Sequence, residues 1–190
     1  MAEWIAKNAY LTDEEMQNNG EIIWSFFGGK QGWTRNAVAA LLGNMQQEST
    51  VNPGLWESLI PYAGGYGLVQ WTPYTVYSEW AGRGWQNNGT KQCERIMHEY
   101  HDGGQWYPTA EYPTSFEEWA HSEDSPEDLA YAFMYNYERP ASLDHPERKE
   151  WARNWYNWLE GKPWDPDIPG GGGTRGLPVW LLKMLGDRRQ

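Results

Sequence analysis

The chain has 190 residues, enough for one ordinary domain with a short extension. Its formal net charge is −11 and no run of lysine or arginine forms a basic stripe, so we expect no nucleic acid and no anionic membrane as a partner. The single cysteine excludes an internal disulfide framework, and no apolar run approaches the length of a membrane-spanning helix.

The aromatic residues are mostly those with a polar edge, since the chain has 14 Trp and 12 Tyr but 4 Phe. Such rings suit half-wet clefts where sugars stack and also suit cores, so the count favours carbohydrate only weakly. Residues 1–10 lack the charged-then-apolar pattern of a secretory signal. We therefore expect synthesis in the cytoplasm, with any work outside the cell dependent on another carrier.

Helix signals dominate the first part of the chain. A capping box at Thr12–Glu15 opens the first predicted helix, and Gly28 and Gly29 end it. The second helix runs from Thr34 to Glu48. Residues 54–72 instead contain short apolar pieces separated by glycines, which is typical of a small irregular sheet or hairpin. The sequence therefore predicts an α+β fold that is mainly α.

The next helices are marked by their first residues. Thr72 is the predicted N-cap of the third helix, with proline at the first helical position. The fourth runs from about Thr90 to His101. Ser115 and Ser125 begin the fifth and sixth, and Pro140 closes the sixth.

The seventh helix ends at Gly161 and has a stripe at helical spacing formed by Trp151, Trp155, Trp158 and Leu159. Prolines and four consecutive glycines then predict a linker. The predicted organisation is a domain over residues 1–162, a linker over 163–176 and a short apolar and charged tail over 177–190. The tail pattern fits an anchor, a docking helix or the first turn of a further domain.

Glu48 is the main candidate for chemistry, at the end of the second predicted helix. It follows Met45 by three residues and Leu41 by seven, so it lies on the buried face. Burial and the negative pole of the helix C-terminus both disfavour the charged form, which favours a protonated carboxyl able to donate its proton. The alternative is a structural glutamate satisfied by backbone hydrogen bonds.

Other kinds of site lack support. His98 and His101 are three apart with Glu99 between them, whereas a zinc-protease helix needs histidines four apart with glutamate directly after the first. The chain has no nucleophile elbow and no glycine-rich phosphate loop. We expect neither a metal nor a cofactor, and we interpret Cys93 as a core residue on the apolar face of its helix.

Glycoside cleavage fits better, because it needs an acid at the leaving oxygen and a second group or a water on the other face of the sugar. Glu48–Pro53 followed by Gly67–Gln70 resembles the paired motif of lytic transglycosylases and goose-type lysozymes. More closely, Gly43–Ser49, Gly65–Thr72 and Tyr137–Pro140 resemble the phage tail lysozyme family, whose members degrade peptidoglycan at the tail tip of phages. This resemblance spans about residues 8–160.

The resemblance implies a lysozyme-like fold of two lobes, with a small β region and a glycan cleft. It implies that Glu48 is the general acid and that Ser49 orients its carboxyl or a substrate group. Tyr66, Gln70 and Trp71 match the cleft wall.

Tyr137 and Glu138 match the third motif and have an implied substrate role. The alternative is helix-end packing, with Glu138 paired to Arg139. The implied partners are peptidoglycan glycan strands and other phage tail proteins, and the implied location is the virion tail tip after synthesis in the host cytoplasm. A peptidase domain often follows the linker in such proteins, and residues 177–190 are too short to form one.

The chemistry stays open at two points. Glu57, Asp102 and Glu138 are candidates for a second carboxylate, and spacing selects none of them. Transglycosylases use the acetamido group of the substrate instead, so the residues do not separate hydrolysis from anhydro-forming cleavage. The alternative functions are a non-catalytic peptidoglycan-binding tail module and a free endolysin with the same chemistry.

Overall fold

Seven α-helices carry the fold of residues 2–167, the part of the chain that the computed structural model describes. They are α1 (Asp13–Trp24), α2 (Arg35–Ser49), α3 (Thr75–Ala81), α4 (Gly89–Asp102), α5 (Phe116–Ala120), α6 (Pro126–Phe133) and α7 (Glu147–Trp158). π-Helical turns extend α1 over Ser25–Lys30 and α6 over Met134–Glu138. The mainly helical prediction is confirmed. None of the described helices is long and apolar enough to cross a membrane.

The segment predicted as a small β region is held mainly by aromatic packing. It has one turn of 3-10 helix, Glu57–Leu59, and two isolated antiparallel bridges that join Tyr66 to Trp56 and to Trp71. The Trp56 ring packs at centroid distances of 4.5 to 5.8 Å against the rings of Tyr62, Tyr66, Tyr74 and Trp85. The division into two lobes stays a prediction, and the predicted tail lies outside the described residues.

Side-chain caps fix most helix starts where the sequence predicts them. Four predicted caps accept a hydrogen bond from the backbone N–H three residues on, namely those of Thr12, Thr34, Ser115 and Ser125. The prediction for Thr72 is wrong, because α3 begins at Thr75. The Thr72 hydroxyl donates to the Gln70 carbonyl at 2.8 Å instead, a local backbone bond of the kind that threonine also makes in turns.

Gly28 and Gly29 were predicted to end the first helix, and this prediction is wrong because the π-helical extension of α1 passes through both. A Cβ on Gly28 would lie 2.2 Å from the Trp24 ring, and a Cβ on Gly29 would lie 2.7 Å from the Trp164 ring. Both glycines therefore allow an indole to pack closely. Trp164 belongs to the predicted linker, whose first residues thus lie against the domain.

The core is built around α2, in which every residue from Ala37 to Met45 is buried. α6 and α7 both pack against it. Gly43 brings α7 close, since a Cβ there would lie 2.8 Å from the backbone nitrogen of Ala152 and 2.9 Å from the carbonyl oxygen of Arg148. The backbones of α2 and α7 therefore touch without a side chain between them.

The buried face of α7 is offset from the predicted aromatic stripe. Its buried residues are Arg148, Ala152 and Trp155. Trp151 and Trp158 are only partly buried at the edge of the core. The close approach at Gly43 explains the offset, because the small Ala152 fits against α2 where an indole would not.

The chain leaves α2 through two left-handed residues, Thr50 at φ 53° and Val51 at φ 56°. This conformation is costly for β-branched residues, so the surrounding structure must hold it. The Leu11 N–H donates to Thr50 Oγ1 and the Asn19 amide donates to the Val51 carbonyl, both at 2.9 Å. The Asn52 amide donates to two carbonyls of the segment before α1, both at 2.7 Å. That segment therefore fixes the turn after α2.

Replacing Gly43 with alanine is expected to lower the free energy of unfolding by about 1–3 kcal/mol, because the new methyl group must displace the backbone of α7. The loss should appear although helix propensity alone favours alanine over glycine by about 1 kcal/mol. Gly104→Ala is the matched control, since a Cβ there meets no atom within 4 Å. Chemical denaturation measures both variants, and equal small changes would contradict the close helix contact.

Candidate functional site

A groove of about 620 Å³ lies among the end of α2, the loop before α3 and the turn after α6. Its volume is within the range of small-ligand sites. Five of the predicted site residues line it, namely Glu48, Gln70, Trp71, Tyr137 and Glu138. Other side chains of the wall include those of Tyr10, Trp56, Glu57, Gln105 and Arg139.

Glu48 reaches the groove from the last turn of α2, with 20% of its side chain exposed. Its Oε1 lies 2.5 Å from Nη2 of Arg148 on α7, and the two groups form an ion pair. From the sequence we expected burial and the negative pole of the helix C-terminus to keep this carboxyl uncharged. That expectation left out the guanidinium, which belongs to a residue 100 positions further along the chain.

Arg148 is almost wholly buried, with 1% of the residue exposed. Its Nη1 donates to Asn44 Oδ1 at 2.6 Å. The Asn44 amide donates in turn to the carbonyl oxygens of Ala40 and Ala130, each at 3.0 Å, which ties α2 to α6. Arg148 Nε is buried without a hydrogen-bond partner among the described residues. The guanidinium thus has one charged and one neutral acceptor, both on α2.

Glu138 ends the π-helical extension of α6 and lies in the groove wall. Its Oε1 is buried and has no hydrogen-bond partner within residues 2–167. Loss of solvent raises the pKa of Glu138 well above its ordinary value, the charge of Glu48 raises it further, and Arg148 opposes part of the rise. Glu138 is therefore the carboxyl that this site favours in its protonated form.

The alternative interpretation of Glu138 was an ion pair with Arg139, and the structure gives Arg139 other partners. Its Nη1 donates to the carbonyl oxygens of Gln105 and Asn136 at 2.7 and 2.8 Å. The guanidinium also lies over the Tyr107 ring, 4.7 Å from the centroid. The pairing of Glu138 with Arg139 is therefore wrong.

Behind the groove wall, the buried Glu99 of α4 accepts three hydrogen bonds. The donors are Arg95 Nε at 2.7 Å, Trp71 Nε1 at 3.1 Å and the Tyr137 hydroxyl. Burial raises the pKa of Tyr137 and the charge of Glu99 raises it further, so the hydroxyl stays protonated and donates. Glu99 therefore orients two of the predicted wall residues. Within residues 2–167 no group of His, Cys, Asp and Glu side chains is placed to hold a metal ion.

Ser49 and Tyr66 are not among the described residues that line the groove. The buried Ser49 hydroxyl lies 3.0 Å from the Leu68 carbonyl, and the Tyr66 hydroxyl accepts from the Asn87 N–H at 2.8 Å. Gln70 does line the groove, but its Nε2 donates to the carbonyl oxygens of its own loop at 3.2 and 2.9 Å. The contacts of all three hold the loop in shape.

Of the three candidates for a second carboxylate, Glu57 and Glu138 line the groove. Glu57 Oε2 accepts the Gly65 N–H at 2.6 Å and so stabilises the loop. Asp102 is exposed and lies 2.9 Å from His98 Nδ1, and it is not among the described residues of the wall. Glu138 lines the groove and its buried Oε1 has no hydrogen-bond partner within residues 2–167, so it is the candidate that the geometry favours.

Sequence reasoning missed Arg148 and the role of Glu99. Arg148 lies on the same face of α7 as the buried Ala152 and Trp155, at helical spacing from both. A charged residue on a buried face was therefore the available signal. Glu99 lies four residues after Arg95, which is the spacing of a helical ion pair, but such pairs are usually exposed. Neither pattern by itself leads to Glu48.

As the pH rises, the free energy of unfolding of Glu138→Gln is expected to increase relative to that of the parent. Because the pKa of Glu138 is raised in the folded protein, the folded protein keeps a proton that the unfolded chain releases above about pH 4.3. The parent's free energy of unfolding therefore falls with rising pH until the pH passes the raised pKa. This group contributes a slope of at most about 1.4 kcal/mol per pH unit. Glutamine carries no such proton, so the variant lacks this part of the pH dependence.

Denaturation of both proteins across this pH range measures the difference. Glu160→Gln is the matched control, at a side chain that is 77% exposed, and it should follow the parent. Parallel pH dependence of the parent and Glu138→Gln would contradict a protonated Glu138.

Comparison with known proteins agrees with the motifs. The sequence model of the phage tail lysozyme family matches residues 18–159, a range that contains all seven predicted site residues. Over 165 residues the chain is 42% identical to "Morphogenesis protein 1" of Bacillus phage B103. That match covers 83% of this chain and 43% of the relative, so the chain spans less than half the length of the relative. The chain belongs to the phage tail lysozyme family.

Proposed function

We propose that this domain cleaves the glycan strands of peptidoglycan, as a muramidase or a lytic transglycosylase. The observation that carries the proposal is a pair of carboxyls in one groove, with Glu48 ion-paired and Glu138 at a raised pKa. Two carboxyls in different protonation states are what glycoside cleavage uses. Membership in the phage tail lysozyme family supports the same class of reaction.

Glu48 is the proposed general acid, which protonates the glycosidic oxygen as the bond to the sugar carbon breaks. Its backbone is held by a buried helix, so the carboxyl meets the groove in a fixed direction. After the proton has left, the carboxylate stabilises the positive charge on the sugar ring. Either water or a group of the sugar itself then completes the reaction.

The proposed contacts to the glycan are Gln70, Trp71, Tyr137 and Glu138 in the groove wall, with Trp56 beside them. Trp71 and Tyr137 are both held by Glu99, so their rings are fixed before substrate binds. Stacking and hydrogen bonds must supply the affinity, because a net charge of −11 gives no attraction to a polyanionic wall. Ser49 and Tyr66 support this wall through the loop.

The proposed location is the virion tail, where the domain would contact other phage tail proteins. The family description and the name of the phage B103 relative support this location. A free endolysin would have the same chemistry with a different route of delivery. Detection of the protein in purified virions supports the tail location, and its absence from them supports the endolysin.

Glu48→Gln is expected to reduce the release of soluble muropeptides from purified peptidoglycan by at least about 100-fold, since it removes the proposed acid and keeps its shape. Glu160→Gln, on an exposed side chain, should retain the parental rate. Mass spectrometry of the products identifies the chemistry. Reducing ends indicate hydrolysis and anhydro ends indicate transglycosylation.

Parental release by Glu48→Gln would contradict the proposal. Binding of the parent protein to peptidoglycan without any release of soluble sugar would instead favour a non-catalytic binding module. Circular dichroism of each variant shows whether a loss of activity reflects a loss of fold.

A further inference from the structure

Two buried side-chain atoms have no hydrogen-bond partner within residues 2–167, and both belong to the group of charged residues around Glu48. They are Oε1 of Glu138 and Nε of Arg148. Buried groups of this kind are few in native proteins, so each calls for an explanation. Here one belongs to an acid and the other to a cation, and the charge of the cation acts on the acid.

We propose that Glu138 stores the proton that Glu48 delivers to the glycan, and that Arg148 exchanges its ion-pair partner from Glu48 to Glu138 as the proton moves. This inference rests on the proposed function and extends it. In this scheme the proton of Glu138 reaches the reacting bond only through Glu48, separately from the contact that Glu138 is proposed to make with the glycan.

The charged groups that face Glu138 come from four places in the fold. Glu48 on α2 and Glu99 on α4 disfavour its carboxylate, while Arg148 on α7 and the adjacent Arg139 favour it. Glu99 is compensated by Arg95 at 2.7 Å, and Arg139 is engaged by two backbone carbonyls. The balance therefore depends on which carboxylate Arg148 neutralises.

The proton transfer leaves the charge of the cluster unchanged. Before transfer, Glu48 is a carboxylate paired with the Arg148 guanidinium, and Glu138 is a neutral acid. The proton then leaves the Glu138 hydroxyl and joins a Glu48 oxygen. Glu48 becomes the neutral acid and Glu138 becomes the carboxylate that Arg148 neutralises. One carboxylate and one guanidinium face each other in both states, so no charge is left unpaired during the transfer.

The bond changes of the reaction return both carboxyl groups to their starting protonation states. Glu48 gives its proton to the glycosidic oxygen, the bond from that oxygen to the sugar carbon breaks, and its electron pair stays on the oxygen. The attacking hydroxyl, from water or from the sugar itself, forms the new bond to that carbon. It loses its own proton to Glu48, and this proton returns to Glu138. No oxidant, reductant or further reactant is needed.

Infrared spectroscopy of the carboxyl groups tests where the proton is stored without any use of activity. The parent should show a protonated carboxyl signal at neutral pH, and Glu138→Gln should lose it. Glu48→Gln should keep the signal but lose it at a lower pH than the parent, because the charge of Glu48 no longer opposes ionisation of Glu138 and Arg148 is free to favour it. Glu160→Gln should match the parent.

Kinetics on purified peptidoglycan test whether the stored proton is used. Glu138→Gln should lower the maximal rate by about 100-fold with little change in KM, since glutamine keeps the shape of the neutral acid. Glu138→Asp keeps an acid one methylene further back, and it should recover part of the rate and show an altered pH profile. A purely structural Glu138 would leave the glutamine variant at the parental rate.

Each result has one meaning. Loss of both the signal and the rate in Glu138→Gln supports the proposal. A signal that survives in Glu138→Gln, or a lost signal with the rate unchanged, overturns it. If Glu48→Gln cleaves at the parental rate, the proposed function itself fails, and the infrared result still reports where the proton resides.

Discussion

The burial of Arg148 is the constraint on which the site depends. A guanidinium inside a core must keep its acceptors, since removal of one partner from a buried ion pair costs about 3–5 kcal/mol. Asn44 and Glu48, one helical turn apart on α2, supply these acceptors at 2.6 and 2.5 Å. The same contacts that stabilise the fold therefore hold the proposed acid in place while Arg148 is paired with Glu48.

This arrangement requires α2 and α7 to lie unusually close. Gly43 makes the approach possible, and Asn44 beside it reaches both Arg148 and the carbonyl of Ala130 on α6. The extension of α6 carries Tyr137 and Glu138 to the groove. A single turn of α2 thus connects the helix that supplies the cation to the helix that supplies the second carboxyl.

The local parts of this structure could be predicted from the sequence, because short-range chemistry decides them. Capping side chains such as Thr34 fix helix starts, and the spacing from Met45 places Glu48 at the end of a buried helix. The partner of Glu48 could not be predicted in the same way, because Arg148 is joined to it by tertiary packing alone. The raised pKa of Glu138 could not be predicted either, because the charges that act on it come from four parts of the chain.

At Thr72 and at the glycines of the first helix, the local sequence pattern gave a wrong prediction. Their residue types fit the predicted cap and the predicted stop, but tertiary contacts give them other roles. Trp71 was predicted as part of the wall and Tyr137 as a substrate contact, and both line the groove, whereas Tyr66 was predicted for the wall and does not line it. The hydrogen bonds that hold Trp71 and Tyr137 were not predicted, since they come from Glu99 of a distant helix. Sequence patterns therefore located the groove residues better than they located the charges that control them.

The left-handed turn at Thr50 and Val51 depends on the segment ahead of α1. That segment holds the turn through Leu11 and through the carbonyls that Asn52 binds, while Tyr10 also forms part of the groove wall. The shape of the groove near Glu48 therefore depends on residues that precede the first helix as well as on the helices themselves.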